Sequence, residues 1–155
     1  MKLVYNVRRF LALPPGDRRV FLQAELLFLV IGPALRIIGL RRSQGLLRQI
    51  ASRRWTKSAN TDVPNAARRT VSLVQMAARH TFGNPTCLPQ SLVCWTLLRR
   101  QGIDGDLRIG TRKNGVEFEA HAWVEYKGHV LNDRPDVRQR FTTFNQTIDP
   151  TQVTG

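Results

Sequence analysis

Hydrophobic positions change period once along this chain, near residue 102. Before that point they recur at helical spacing, and after it they alternate. The stretch from Val20 to Leu40 is strongly apolar, with Phe21, Leu22, Leu26, Leu27, Phe28, Leu29, Val30, Ile31, Leu35, Ile37 and Ile38. Pro14-Pro15-Gly16-Asp17 ahead of it reads as a breaker followed by a helix cap, and Gly32-Pro33 is expected to kink it into a helix pair. Arg41 to Lys57 reads as a short basic amphipathic helix carrying Leu46, Leu47 and Ile50 on one side. After a polar linker, Pro64 suits a first helical turn capped by Thr61 or Asp62, and Ala67, Val71, Val74 and Ala78 mark a core stripe. Gly83-Asn84-Pro85 stops that helix. The next one starts at Cys87, keeps Leu88, Leu92 and Trp95 on its core face, and ends at Arg99-Arg100-Gln101-Gly102.

Beyond Gly102 the pattern is that of strands. Leu107 and Ile109 alternate with polar residues, and Lys113-Asn114-Gly115 is a hairpin turn. Val116, Phe118, Ala120, Ala122 and Val124 then alternate with Glu117, Glu119, His121, Trp123 and Glu125. Tyr126-Lys127-Gly128 is a second turn and His129 to Asp133 a third strand. Pro135 closes the meander, and Phe141 and Phe144 are expected to pack back on it. Helices followed by an antiparallel meander make an α+β domain. The expected division is a basic, apolar helical extension at 1–60, a core at 61–145 and a polar tail at 146–155.

Charge changes this picture mainly at the N-terminal end. Twelve Lys and Arg against two Asp and Glu before residue 61 place +10 of the net +13 there. Such a surface suits an acidic protein or peptide, nucleic acid or an anionic membrane. No aromatic-interleaved basic sheet or nucleic-acid motif is present, so nucleic acid is not expected. Met1 to Phe10 lacks the cleavage site of a signal peptide. The uninterrupted apolar run within 20–40 is about half the ~20 residues of a membrane span. Glu25 and Arg36 flank it. A buried or partner-facing helix pair is therefore expected, with membrane-surface contact left open. The two cysteines, Cys87 and Cys94, stand seven apart on one helix. Their ~10 Å separation along the axis exceeds disulfide reach, which points to a reducing, cytoplasmic setting.

The candidate chemistry begins at Cys87. Pro89 confines it to a first helical turn, where unpaired backbone N–H groups and the positive end of the helix dipole favour a thiolate. If Tyr126-Lys127-Gly128 forms a three-residue loop, Glu125 pairs with His129 and His121 lies opposite Asp133 on one face. Cys87 is then a nucleophile, His121 its base, and Asp133 the group that orients the imidazole. An oxyanion would meet the N–H groups at the helix start, around Leu88, with Gln90 or Asn132 as side-chain candidates. Cys94 reads as core. No CxxC or HxxxH pair pre-organises a metal, so neither metal nor cofactor is expected.

From Cys87 to Asp136 the chain resembles the lasso peptide leader peptidases, a transglutaminase-like family. The matching residues are Cys87-Leu88 with Ser91-Leu92, Leu97-Leu98-Arg99-Arg100-Gln101-Gly102-Ile103, Leu107-Arg108-Ile109-Gly110, Ala120-His121-Ala122-Trp123-Val124-Glu125, and Asn132-Asp133-Arg134-Pro135-Asp136. Pro89-Gln90 departs from the family's pattern. The resemblance implies a papain/transglutaminase-like core in which a helix bearing Cys87 packs on a sheet bearing His121 and Asp133. It further implies removal of the leader from a ribosomally made precursor peptide, so that a cyclase can close a ring on the freed amine.

In that family a small strand-rich element recognises the leader, and residues 1–60 hold none. The chain is therefore expected to depend on a separate leader-recognition protein. It would dock on the apolar and basic surface of residues 20–57, through Leu27, Ile31, Arg41 and Arg42. Two other readings stay open. One is a transglutaminase-like acyl transferase with the same triad, and the other is a non-enzymatic basic adaptor or nucleic-acid binder.

Overall fold

The computed structural model describes residues 10–37, 39, 49, 62–81 and 83–143. Three helices, α1 (Pro15–Ile37), α2 (Val63–His80) and α3 (Cys87–Arg100), precede strands β1 (Asp106–Asn114), β2 (Glu117–Tyr126) and β3 (His129–Val130). A single turn, α4 (Val137–Arg140), and a short β4 (Thr142–Thr143) follow. The sheet order is β3-β2-β1-β4, antiparallel throughout, and the fold class is the expected α+β.

Helix α3 is the centre of the molecule. Every residue from Ser91 to Leu98 is buried, because α1 and α2 cover one side and the sheet covers the other. A helix apolar all round is stable only in such a position. Its neighbour α2 starts where Asp62 Oδ1 accepts from the Asn65 N–H at 3.2 Å, with Pro64 in the first turn. It buries Ala67, Val71, Val74 and Ala78 as the stripe predicts, together with Thr70, Leu73 and Ala77.

Helix α1 differs from expectation in two ways. It runs unbroken through Pro33, whose exposed ring removes one backbone hydrogen bond without ending the helix. At 23 residues it is also long and apolar enough to cross a membrane by length and composition. Its inner stripe is Ala24, Leu27, Phe28 and Ile31, which joins the cluster formed by α2 and α3. Leu27 and Ile31, expected to contact a partner, are therefore core residues, 7% and 1% exposed. The outward face carries Leu22, Leu26, Leu29 and Val30 instead. Arg41, Arg42, the expected basic helix at 41–57 apart from Gln49, Phe144 and the tail lie outside the described residues.

The β2–β3 turn is a second correction. Tyr126 pairs with His129, so the loop has two residues, Lys127 and Gly128, with φ of +47° and +81°. Positive φ at both positions is the tight turn whose twist matches the flanking strands. The expected three-residue loop assumed that only Gly128 would adopt it. Continued in this register, β3 would place Asp133 beside Ala122 and away from His121. It does not continue. Leu131 N–H bonds Val124 O at 2.9 Å, and the chain then leaves the ladder. At the next position the Asn132 side chain replaces a backbone acceptor, its Oδ1 taking the Val124 N–H at 2.7 Å. This departure frees Asp133 to turn toward His121.

Candidate active site

The α3 helix opens at Cys87, with Thr86 as its N-cap residue. Thr86 makes no side-chain capping bond, and Pro89, the third residue, has no N–H. The first backbone bond into the cap is Gln90 N–H to Thr86 O, at 3.2 Å. The Cys87 and Leu88 amides thus stand at an uncapped helix start, where partial positive charge collects. Cys87 is half-buried. Leu88 packs its side chain against the main core.

One turn further in, Ser91 fixes the helix to the sheet. Its buried Oγ donates to Ala122 O at 2.9 Å and accepts from Asn132 Nδ2 at 2.9 Å. Residues four apart share a helix face. Cys87 is therefore directed toward the edge of β2 at which Ser91 is anchored, one residue from His121.

His121 is stacked on Phe141 at 4.9 Å and on Trp123 at 6.1 Å between ring centroids. Gly110, its partner across the β1–β2 ladder, makes room for that stack. A Cβ there would meet Trp123 Cη2 at 2.9 Å, Phe141 Cβ at 3.0 Å and Thr142 O at 3.1 Å. Asp133 Oδ2 hydrogen-bonds His121 Nε2. Its Oδ1 accepts from the Arg134 N–H at 2.6 Å and faces Arg140 Nη2 at 3.6 Å. The carboxylate therefore occupies one ring nitrogen and leaves Nδ1 for a proton donor. Among the described residues the Cys87 thiol makes no hydrogen bond, to His121 or to any other group.

The two side chains considered for an oxyanion have other partners. Gln90 Nε2 donates to Pro85 O at 2.6 Å and braces the turn ahead of the helix. Asn132 uses both ends of its amide to join β2 to Ser91. A cavity of about 750 Å³ lies beside the helix start. Phe28, Leu29 and Pro33 of α1 form one wall, and Thr86, Leu88 and Pro89 form another.

Two supporting residues escape a reading of the sequence. Ser91 is one, an ordinary polar residue until its partners are known. The other is Glu125, which alternation assigns to a polar face yet is 3% exposed. It accepts from Trp123 Nε1 at 2.7 Å, from Arg138 Nε and Nη2 at 2.7 and 2.6 Å, and from Arg108 Nε at 3.3 Å. Burial raises its pKa, but the bonds from Arg138 and Trp123 and the nearby guanidinium charges outweigh that, and the net direction is down. This cluster ties α4 to Trp123, the ring on which His121 rests. By contrast Cys94 is fully buried, and burial pushes its thiol up to about 12. No group of three metal-ligating side chains occurs among the described residues.

Comparison with known proteins agrees with this architecture. The microcin J25-processing protein McjB of Escherichia coli is 26% identical over 95 residues, covering 61% of this chain and 45% of that protein. The match thus spans less than half the length of that relative. No solved structure matches the chain. A family model described as the transglutaminase-like superfamily matches residues 26–146, from the middle of α1 past β4, and so takes in Cys87, His121 and Asp133 together. With that match over most of its length, the chain belongs to the transglutaminase-like superfamily.

Proposed function

We propose that this chain is a cysteine peptidase of the cytoplasm that removes the leader from a lasso peptide precursor. The observation that carries the reading is the His121–Asp133 bond through Nε2, on a sheet fixed by Ser91 to a helix that opens with a cysteine. Family membership and the similarity to a microcin-processing protein support it.

In this mechanism His121 Nδ1 takes the thiol proton, and Cys87 Sγ attacks the scissile carbonyl. Asp133 holds the ring by Nε2 and balances the imidazolium charge. The oxyanion forms against the Cys87 and Leu88 amides, whose position costs no rearrangement during reaction. The amine leaves with the proton held by His121. Water then attacks the thioester, with His121 as base, and releases the leader carboxylate. The cavity beside Thr86 and Leu88 takes an apolar side chain of the substrate.

A separate leader-recognition protein docks on the outward face of α1, where Leu22, Leu26, Leu29 and Val30 are exposed. The cyclase consumes the freed amine. A second reading follows from the superfamily itself: the same acyl-enzyme transferred to an amine rather than to water.

Mass spectrometry of a precursor peptide incubated with this protein and its recognition partner tests both readings. A leader fragment with a free carboxylate, absent with Cys87→Ala, is the expected result. An amide-linked product would select the acyl transferase, and cleavage that survives Cys87→Ala would remove Cys87 from the mechanism.

A further inference from the structure

Strand β2 is ten residues long, but its outer neighbour β3 covers only two of them. The turn at Lys127-Gly128 makes Tyr126 and His129 a hydrogen-bonded pair, so the even-numbered residues of β2 direct N–H and C=O toward the β3 side. Each such position has a different partner. Val124 O takes Leu131 N–H, Val124 N–H goes to Asn132 Oδ1, and Ala122 O takes Ser91 Oγ. Beyond Ala122 the next two, Ala120 and Phe118, have no partner on that side among the described residues.

Residues 117–120 are all exposed, and Val116 and Phe118 are 95% and 76% exposed. This arm is nonetheless held straight. Its odd-numbered residues pair with β1 out to Asn114–Glu117, and Arg112 Nε bonds Glu119 Oε2 at 2.7 Å across the ladder. Among the described residues it is an unpaired sheet edge bearing apolar side chains, the kind of template to which an extended chain adds as a strand.

The position of this edge identifies its occupant. Ala120 immediately precedes His121. Ser91, one turn into α3 on the Cys87 side, closes the same edge at Ala122. A chain paired with Ala120 would run beside His121 toward Ala122, the point at which Ser91 anchors the helix that opens with Cys87. We infer that the Phe118–Ala120 edge of β2 binds the peptide substrate as an added strand, with Phe118 packing on one of its side chains. This rests on the peptidase reading and adds to it the means by which the scissile bond is positioned. Main-chain pairing binds any extended sequence, so the edge sets orientation and register while side-chain pockets set preference.

Amide hydrogen exchange on full-length Cys87→Ala protein, with and without saturating precursor peptide and recognition partner, tests the edge without requiring turnover. The Phe118 and Ala120 amides should exchange fast in the free protein and slow by tenfold or more with peptide, on the order of one hydrogen bond each. The Glu119 amide, which faces β1, should not change. Fast exchange at Phe118 and Ala120 under saturating peptide overturns the inference. So does slowing that follows protein concentration without peptide, which would assign the edge to a second copy of the chain.

In wild-type turnover, backbone N-methylation of successive substrate residues should lower kcat/KM at alternate positions, because only every second residue of a strand faces its partner. Phe118→Ser should raise KM while leaving the thermal midpoint unchanged. Cleavage that proceeds normally with every methylated peptide overturns the inference and leaves the peptidase standing. If the unmodified peptide is not cleaved, it is the peptidase reading that fails, and exchange at the edge still reports on binding.

Discussion

Asn132 and Ser91, forty-one positions apart, are joined by a 2.9 Å bond that links the segment carrying Asp133 to the helix carrying Cys87. The two halves of the proposed triad are held in register by residues that take no part in the chemistry. Asn132→Ala removes this bond and leaves the Val124 N–H without its acceptor. A loss of about 2–3 kcal/mol is expected from two bonds of this kind. Denaturant unfolding checks the loss. The position of Asp133 should suffer with it, so kcat falls more than KM changes. Ser91→Ala also removes two bonds, to Asn132 and to Ala122 O, and should cost about as much, and the double variant should cost less than the two separately, since both sever one connection.

Glu125 gives the molecule an acid-sensitive joint. Its folded pKa lies below its ordinary value of 4.5. The ionised carboxylate therefore contributes stability that is fully present above the unfolded pKa and is lost as pH falls through the folded one. Unfolding free energy measured from pH 7 down to pH 2 should decline across that window. Glu125→Gln should lower stability at pH 7 by about 1–2 kcal/mol, as Arg138 loses its carboxylate partner while Arg108 keeps Asp106 at 3.7 Å, and should flatten the decline.

Gly110 has φ in an ordinary region, so its requirement is one of space. Gly110→Val inserts a branched side chain where a single Cβ would already stand 2.9 Å from Trp123. Overpacking of about 1–3 kcal/mol is expected. The Trp123 and Phe141 rings must also shift, and His121 with them. Activity should therefore fall further than stability predicts, a split that thermal melting and kcat/KM measured together will show.

The two faces of α1 should respond in opposite ways. Leu27→Ala and Ile31→Ala should each destabilise by about 2–4 kcal/mol, as buried truncations do. Leu26→Ser and Leu29→Ser, on the exposed face, should stay within about 0.5 kcal/mol of the parent. If that face receives the recognition protein, these two surface variants lose co-purification while remaining folded. Unchanged co-purification would place the docking surface elsewhere.

These outcomes trace how far the sequence alone could be read. Period and punctuation located the helices at Val63 and Cys87 and the two hairpins, because such features are local. Periodicity does not reveal which face of α1 is buried, because the exposed Leu22, Leu26, Leu29 and Val30 are as apolar as the buried Leu27, Phe28 and Ile31. The two-residue β2–β3 loop is not legible in the sequence, because Lys127 adopts a left-handed conformation usually left to glycine or asparagine. Asp133 nevertheless meets His121, through a bend after Val130 that no register rule foresees. Ser91, Asn132 and Glu125 were invisible as supports because a buried polar residue is defined by its partners, and these come from other elements.

The proline at position 89 has a consequence beyond placing the helix start. An N-cap threonine ordinarily turns its hydroxyl onto the amide of the second or third residue and so quenches the charge gathered there. With proline third, one of those two amides does not exist, and Thr86 makes neither bond. The helix therefore lacks an internal competitor for its remaining donors. Replacing Pro89 with alanine would give Thr86 something to hold, and the more regular helix that resulted would be one whose end is already occupied when a negative charge arrives.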